Sequence, residues 1–205
     1  SRLLPATAGS VHVDELNVAT APSDVLARRL SILRQDNHIA ARLTVRDLVA
    51  FGRFPHSHGR LTEDDHRRID EAIRYLGLED LADRFLDEMS GGQRQRAFVA
   101  MVLCQDTDYV LMDEPLNNLD MRHAAGMMKL IRKIANELDK AFVLVLHDIN
   151  FASIYSDHIV AMRDGALMRQ GPPSEILQTD VLREIFDIDI PVHEIDGQRL
   201  GLFYL

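Results

Sequence analysis

A chain of 205 residues, 46% apolar and 27% charged, is long enough for one domain with a sizeable core and too apolar to stay disordered. Its formal charge of −9 argues against a duplex-binding surface, which needs cations clustered along the phosphates. The lone cysteine, Cys104, excludes an internal disulfide, fits a reducing compartment and is expected as a small core residue. No apolar run approaches the ~20 residues that span a bilayer. The opening residues, Ser1 to Pro5, lack the apolar core of a signal peptide, so a soluble, cytoplasmic protein is expected.

In chain order, residues 1–4 read as the tail of a helix stopped by Pro5. Val11-His12-Val13 reads as a short strand. Ser23 can cap a helix through about Leu30, and Ser31-Ile32-Leu33 reads as a buried strand ending at Arg34-Gln35. From Thr44 to Phe85 the periodicity is helical. Thr44 and Thr62 are each followed by an acid, Asp47 and Asp65, at capping-box spacing, and Gly77 closes the second helix. This block predicts a helical lobe inserted into an α/β core.

Ser90-Gly91-Gly92-Gln93 opens the next helix, and Tyr109–Met112 forms a strand that runs into Asp113-Glu114-Pro115. Asp120 to about Leu138 predicts one long amphipathic helix, with Met127-Met128 as core packing. Ala141–Leu146 is a continuous apolar run, the pattern of a parallel strand buried on both faces. It ends at His147-Asp148, before a short helix over 149–156. Asp164-Gly165 and Asp196-Gly197 mark two hairpins, separated by short helices around Ser174–Leu177 and Asp180–Phe186.

Ligands of open α/β sheets gather outside the carboxyl ends of the parallel strands. Asp113-Glu114 end one predicted strand and His147 ends another, so these residues are candidates for a shared site. An Asp there can hold Mg²⁺ through its water shell, and an adjacent carboxylate can orient a water or take its proton. A capping box explains Ser90 and Gln93 but not the glycines. Each glycine costs up to ~1 kcal/mol relative to alanine in a helix. Bare amides at a helix start, beside Arg94 and Arg96, suit an anion such as a phosphate. His56 and His58, in Phe-Pro-His-Ser-His-Gly, are expected on a polar surface loop rather than at a metal site.

Ser-Gly-Gly-Gln-Arg-Gln-Arg, Asp-Glu-Pro, Asn-Asn-Leu-Asp and Leu-His-Asp, in that order, resemble the signature, Walker B, D-loop and switch-histidine motifs of ABC transporter ATPases. Gln35 fits that family's Q-loop. Val45–Pro55 and the closing tail look most like the branch serving importers of iron-siderophores and vitamin B12. The resemblance implies an α/β, P-loop NTPase-like parallel sheet with an inserted helical subdomain. Its segments would be 1–35 (a truncated N-terminal part of the core), 36–89 (Q-loop and helical subdomain), 90–157 (signature helix, Walker B, D-loop and switch histidine) and 158–205 (hairpins and short helices). It also implies ATP and Mg²⁺ as cofactors. Asp113 would hold Mg²⁺ through water, and Glu114 would be the general base. Gln35 would contact Mg²⁺ or the attacking water, and His147 would bind the γ-phosphate. Ser90, Gly91, Gly92 and Gln93 would contact the ATP held by a second copy, and Asp120 would lie across that homodimer interface. Asp36 to Phe51 would contact the transmembrane permease at the cytoplasmic face of the membrane, with a substrate-binding protein as indirect partner and no nucleic acid. Leu48 and Phe51 are the residues on which that contact is expected to depend.

The departures from the pattern are Met89 for Leu, Asn117-Asn118 for the commoner Ser-Ala or Asn-Ala, and the phosphate loop. The motif Gly-x-x-x-x-Gly-Lys-Ser/Thr does not occur in these 205 residues, and none of Lys129, Lys133 and Lys140 follows a glycine. The expectation is a C-terminal fragment of a longer ATPase that holds ATP poorly by itself, is less stable than an intact domain and tends to self-associate through an exposed sheet edge. The alternative is a non-catalytic regulatory or binding module derived from such an ATPase.

Overall fold

The computed structural model describes all residues except 1, 3, 36, 38, 40, 118, 204 and 205, and the chain forms two units, Ser1–Val145 and Leu146–Leu205. In the first, β1 (His12–Val13) and β2 (Leu16–Asn17) pair antiparallel about Asp14, whose φ is +50°. Arg2 and Leu4, expected as the end of a helix, lie outside any helix. Arg2 instead donates to the Val18 and Ala21 carbonyls and to Ser23 Oγ. Helix α1 (Ser23–Ala27) is capped at Pro22 rather than Ser23 and stops before Leu30. Leu30 belongs to β3 (Leu30–Leu33), where burial of Leu30 and Leu33 outweighs continuation of the helix.

The helical lobe contains α2 (Val45–Phe51), α3 (Phe54–Ser57) and α4 (Glu63–Tyr75). Thr44–Asp47 and Thr62–Asp65 form the two predicted capping boxes. Gly77, at φ +60°, turns the chain after α4. The lobe packs on α5 (Gly91–Cys104), which is followed by β4 (Tyr109–Asp113), α6 (Met121–Leu138) and β5 (Ala141–Val145). The sheet order is β3-β4-β5, all parallel, with Leu33 opposite Met112 and Asp113 opposite Val145. The carboxyl ends of all three strands therefore lie along one sheet edge. Met127, Met128 and Cys104 are buried in the core, as expected. Burial pushes the Cys104 thiol up to about 12, so it stays protonated near neutral pH.

Strand β5 corrects the expectation of burial on both faces. Phe142 and Leu144 pack into the core with Ile131 and Ile134, whereas Val143 is 58% and Val145 48% exposed. A continuous apolar strand needs cover on both faces. Within this unit β5 is an edge strand whose side chains alternate between the core and the open face.

The lobe is fastened at the far end of α5. A Cβ on Gly52 would come within 2.2 Å of the Met101 carbonyl oxygen, so only glycine lets the end of α2 lie this close. The next residue, Arg53, is 4% exposed; its Nε donates to Asp65 Oδ1 at 2.8 Å and its Nη1 to the Cys104 carbonyl at 2.9 Å. Asp65 Oδ2 accepts from the Thr62 backbone N–H and hydroxyl at 2.9 and 2.8 Å. His56 Nε2 lies 2.9 Å from the Gln105 carbonyl oxygen, which places this histidine at a helix end.

In the second unit, α7 (Ile149–Tyr155) is capped by Asp148, and β6 (Ile159–Arg163) and β7 (Ala166–Gly171) form a hairpin. Helices α8 (Pro173–Ile176) and α9 (Thr179–Phe186) precede a second hairpin, β8 (Val192–Ile195) with β9 (Gln198–Gly201). Both tight turns carry positive φ at Asp-Gly, as predicted. Its core is Ile159, Ile176, Leu177, Leu182, Ile185 and Ile190.

Burial alone would raise the Asp65 carboxyl, but the Thr62 and Arg53 donors outweigh it and bring it down to about 2. A carboxylate depressed when folded stabilises above its unfolded value of about 4 and loses that contribution as pH falls toward 2. Arg53→Met is expected to cost about 3–5 kcal/mol in urea unfolding, because it leaves Asp65 buried without its cation. Asp65→Asn should also lose stability at neutral pH, and should lack the part of the decline between pH 4 and 2 that Asp65 causes.

Candidate functional site

The central strand delivers two adjacent carboxylates to the sheet edge. Asp113 is the last residue of β4 and is exposed. Glu114 follows in the left-handed region at φ +50°, its N–H donating to the Val145 carbonyl at 3.2 Å. A non-glycine residue at positive φ is uncommon and persists where its surroundings hold it. Here the hold is visible. Glu114 Oε2 accepts from Gln35 Nε2 at 2.7 Å and from the Asn117 side-chain amide. Gln35 lies just past β3, so the parallel register brings it beside β4 although the two residues are distant in the chain.

Helix α5 begins at Ser90 with the predicted capping box. Ser90 Oγ accepts from the Gln93 N–H at 3.3 Å, and Gln93 Oε1 accepts from the Ser90 N–H at 3.0 Å. Ser90 and Gly91 are exposed, and Gly92 and Gln93 are half-buried. Successive residues of the first turns tie α5 to other parts of the unit. Arg94 donates to the Asn37 carbonyl at 3.4 Å, Gln95 to the Pro115 carbonyl at 3.0 Å and Arg96 to the Leu76 carbonyl at 3.3 Å.

Gly92 has a packing role that the sequence did not disclose. A Cβ there would lie 3.0 Å from His123 Cδ2, so the imidazole ring occupies the space above the glycine. His123 Nδ1 lies 2.8 Å from Asp120 Oδ1, and the same oxygen accepts from the His123 N–H to cap α6. The His123 N–H, with its ring, holds the Asp120 carboxyl below the usual range. Asp120, His123 and Gly92 thus form one contact chain from the start of α6 to the start of α5.

Two groups of expected site residues emerge: Gln35 with Glu114 beside Asp113, and Ser90–Gln93 joined through His123 to Asp120. His147 follows β5 within the second unit, just before the Asp148 cap of α7. Asn117 and His123 were missed as site residues by sequence reasoning. The only available signal was spacing, Asn117 three residues after Glu114 and His123 three after Asp120.

Among the described residues no cluster of three or more His, Cys, Asp or Glu is placed to hold a metal ion. Mg²⁺ does not need one: it keeps several waters and binds through one or two carboxylates and the substrate's phosphates. Exposed Asp113 at the strand end, with the Glu114 carboxylate and Gln35 amide adjoining, fits that donor set.

The segment expected to meet a permease is divided. Residues 36, 38 and 40, with Asn118 of the Asn-Asn-Leu-Asp motif, lie outside the described residues. Leu48, expected as a contact, is 0% exposed in the core and has no free face, which corrects that expectation. Phe51 is 53% exposed and Phe54, just beyond it, 58%. No helix among the described residues is long and apolar enough to cross a membrane.

Comparison with known proteins bears on the family. The ABC transporter family model matches residues 1–117. The petrobactin import ATP-binding protein YclP of Bacillus subtilis (strain 168) is 52% identical over 204 residues, covering 100% of this chain and 81% of that protein. The petrobactin import ATP-binding protein FatE of Bacillus anthracis is 51% identical over 191 residues, covering 93% and 76%. Among solved structures, cbiO1 from Clostridium perfringens, part of the ABC transporter complex cbiONQ, superposes with a TM-score of 0.76 at 27% identity, covering 88% of this chain and 72% of that one. The chain belongs to the ABC transporter family, as one of its ATP-binding subunits.

Proposed function

We propose that this chain is the ATP-hydrolysing, energy-coupling part of an importer of iron–siderophore complexes, acting as a homodimer on the cytoplasmic face of the membrane against permease subunits, with a substrate-binding protein as indirect partner. The observation that carries the catalytic part is the gathering of Gln35 and Asn117 on the Glu114 carboxylate, beside Asp113, at the carboxyl ends of a parallel sheet. The likeness to petrobactin import proteins supports the substrate class.

On this reading Glu114 takes a proton from the attacking water while the water oxygen bonds to the γ-phosphorus and the bond to ADP breaks. Asp113 would hold Mg²⁺ through water, and the bound metal would supply positive charge against the transferred group. Gln35 would contact the water or Mg²⁺, and His147 would bind the γ-phosphate. The Ser90–Gly91–Gly92 turn, exposed at Ser90 and Gly91 and with Gln93 behind it, offers helix-start amides to the γ-phosphate of ATP on a second copy. Asp120 sits across that interface. The 205 residues contain no Gly-x-x-x-x-Gly-Lys-Ser/Thr, the motif that supplies the amides and lysine under the phosphates.

Phe51 is the contact we assign to the permease, where its exposed ring would fill an apolar pocket.

Tested as they stand, the 205 residues are expected to bind Mg-ATP more weakly than micromolar by calorimetry; micromolar affinity would show that no phosphate loop is required. In an assembled importer that supplies a phosphate loop, Glu114→Gln should lower kcat by about 10²–10⁴ with nucleotide binding retained. Hydrolysis within tenfold of the parent would remove Glu114 as general base. Phe51→Asp should abolish co-purification with the permease while leaving the thermal midpoint of the isolated chain unchanged, whereas Leu48→Asp should unfold it. Undiminished co-purification of the Phe51 variant would move the permease contact elsewhere.

A further inference from the structure

The turn after β4 grips its glutamate from two directions. The Asn117 backbone N–H donates to the Glu114 carbonyl at 3.1 Å, and its side-chain amide donates to Glu114 Oε2. Gln35 bonds the same oxygen from the β3 side of the sheet. These donors differ in what holds them. Gln35 is exposed just past the end of β3 and, on the reading above, turns to Mg²⁺ or water when nucleotide enters. Asn117 is exposed as well, but it lies inside the turn after β4, its N–H donating to the Glu114 carbonyl. Pro115 is tied to α5 by Gln95, the Leu119 N–H donates to the Leu116 carbonyl at 3.2 Å, and Asp120 is fixed to His123, whose ring lies on Gly92.

We propose that Asn117 is a positioning residue for Glu114: its side-chain amide fixes one carboxylate oxygen, so that the glutamate meets the attacking water in a single orientation whether or not Gln35 is engaged elsewhere. The proposal rests on the assignment of Glu114 as general base. A hydrogen bond from a neutral amide to a carboxylate is charge-assisted and directional, and it sets the carboxylate's rotation as well as its place.

The test separates hydrogen bonding from space-filling. In the assembled importer, Asn117→Ala should lower kcat about tenfold with KM for ATP within about twofold, the pattern of a lost transition-state interaction. Asn117→Asp keeps the shape but places acceptor oxygens and a negative charge against Glu114, so it should fall further, by about a hundredfold. Asn117→Ser retains a hydroxyl donor and should recover part of the loss. A purely structural role would rank Asp above Ala; that order, or an unchanged kcat in Ala while Glu114→Gln is inactive, overturns the proposal. An active Glu114→Gln would instead bring down the general-base reading and this proposal with it. The contact can also be read without turnover. The Asn117 side-chain NH₂ resonances of the ¹⁵N-labelled chain should move to unbonded positions in Glu114→Ala, and their failure to move overturns the contact itself.

Discussion

Helix α5 has to satisfy both of its ends, and the first unit is arranged around how it does so. Its C-terminal part, Ala97 to Cys104 with only Met101 half-buried, is packed between the sheet and the helical lobe, so the carbonyls of its last turn cannot all reach water. Buried backbone acceptors are costly unless paired. Arg53 meets the Cys104 carbonyl and His56 lies against that of Gln105, and both reach them only because Gly52 lets the end of α2 touch α5. The charge this brings into the interior is balanced by Asp65, which also caps α4. One buried ion pair therefore fixes the position of α2 and α4 against the helix that carries the Ser90–Gln93 turn.

The opposite end of α5 is polar, exposed at Ser90 and Gly91, and makes connections of its own. Arg94, Gln95 and Arg96 reach Asn37, Pro115 and Leu76, so the stretch after β3, the turn after β4 and the helical lobe are all referred to the same helix start. The lobe and that turn are thus both bonded to the start of α5.

Gly92 and Asp120 each have a duty within their own chain. Gly92 was expected to be bare for the sake of a phosphate, and the space its missing side chain leaves is taken by the His123 ring. Asp120 was expected at a dimer interface, and within its own chain it caps α6 and orders His123. Substitutions at either position therefore disturb the fold of the turn as well as any contact across an interface, and the two effects have to be separated by measuring stability alongside activity.

Local chemistry was legible in the sequence wherever a few neighbouring residues decide the outcome. The Thr44, Thr62 and Ser90 capping boxes, the Asp-Gly hairpins, the parallel strand ending at Asp113 and the buried methionines of α6 all follow from short-range hydrogen bonding and apolar periodicity. So did the order of the motifs, and with it the family. What sequence could not give are pairings between residues far apart in the chain. The open face of β5, the burial of Leu48, the Arg53–Asp65 pair, the His123 ring over Gly92 and the Gln35–Glu114–Asn117 contact depend on which surfaces packing brings together. An apolar run such as Phe142–Val145 states that burial is favourable, but only the neighbouring elements decide which face receives it. Glu114 shows the division most sharply: its chemistry was set by being a carboxylate at the end of a parallel strand, while its orientation was set by two amides that only the folded chain places on the same oxygen.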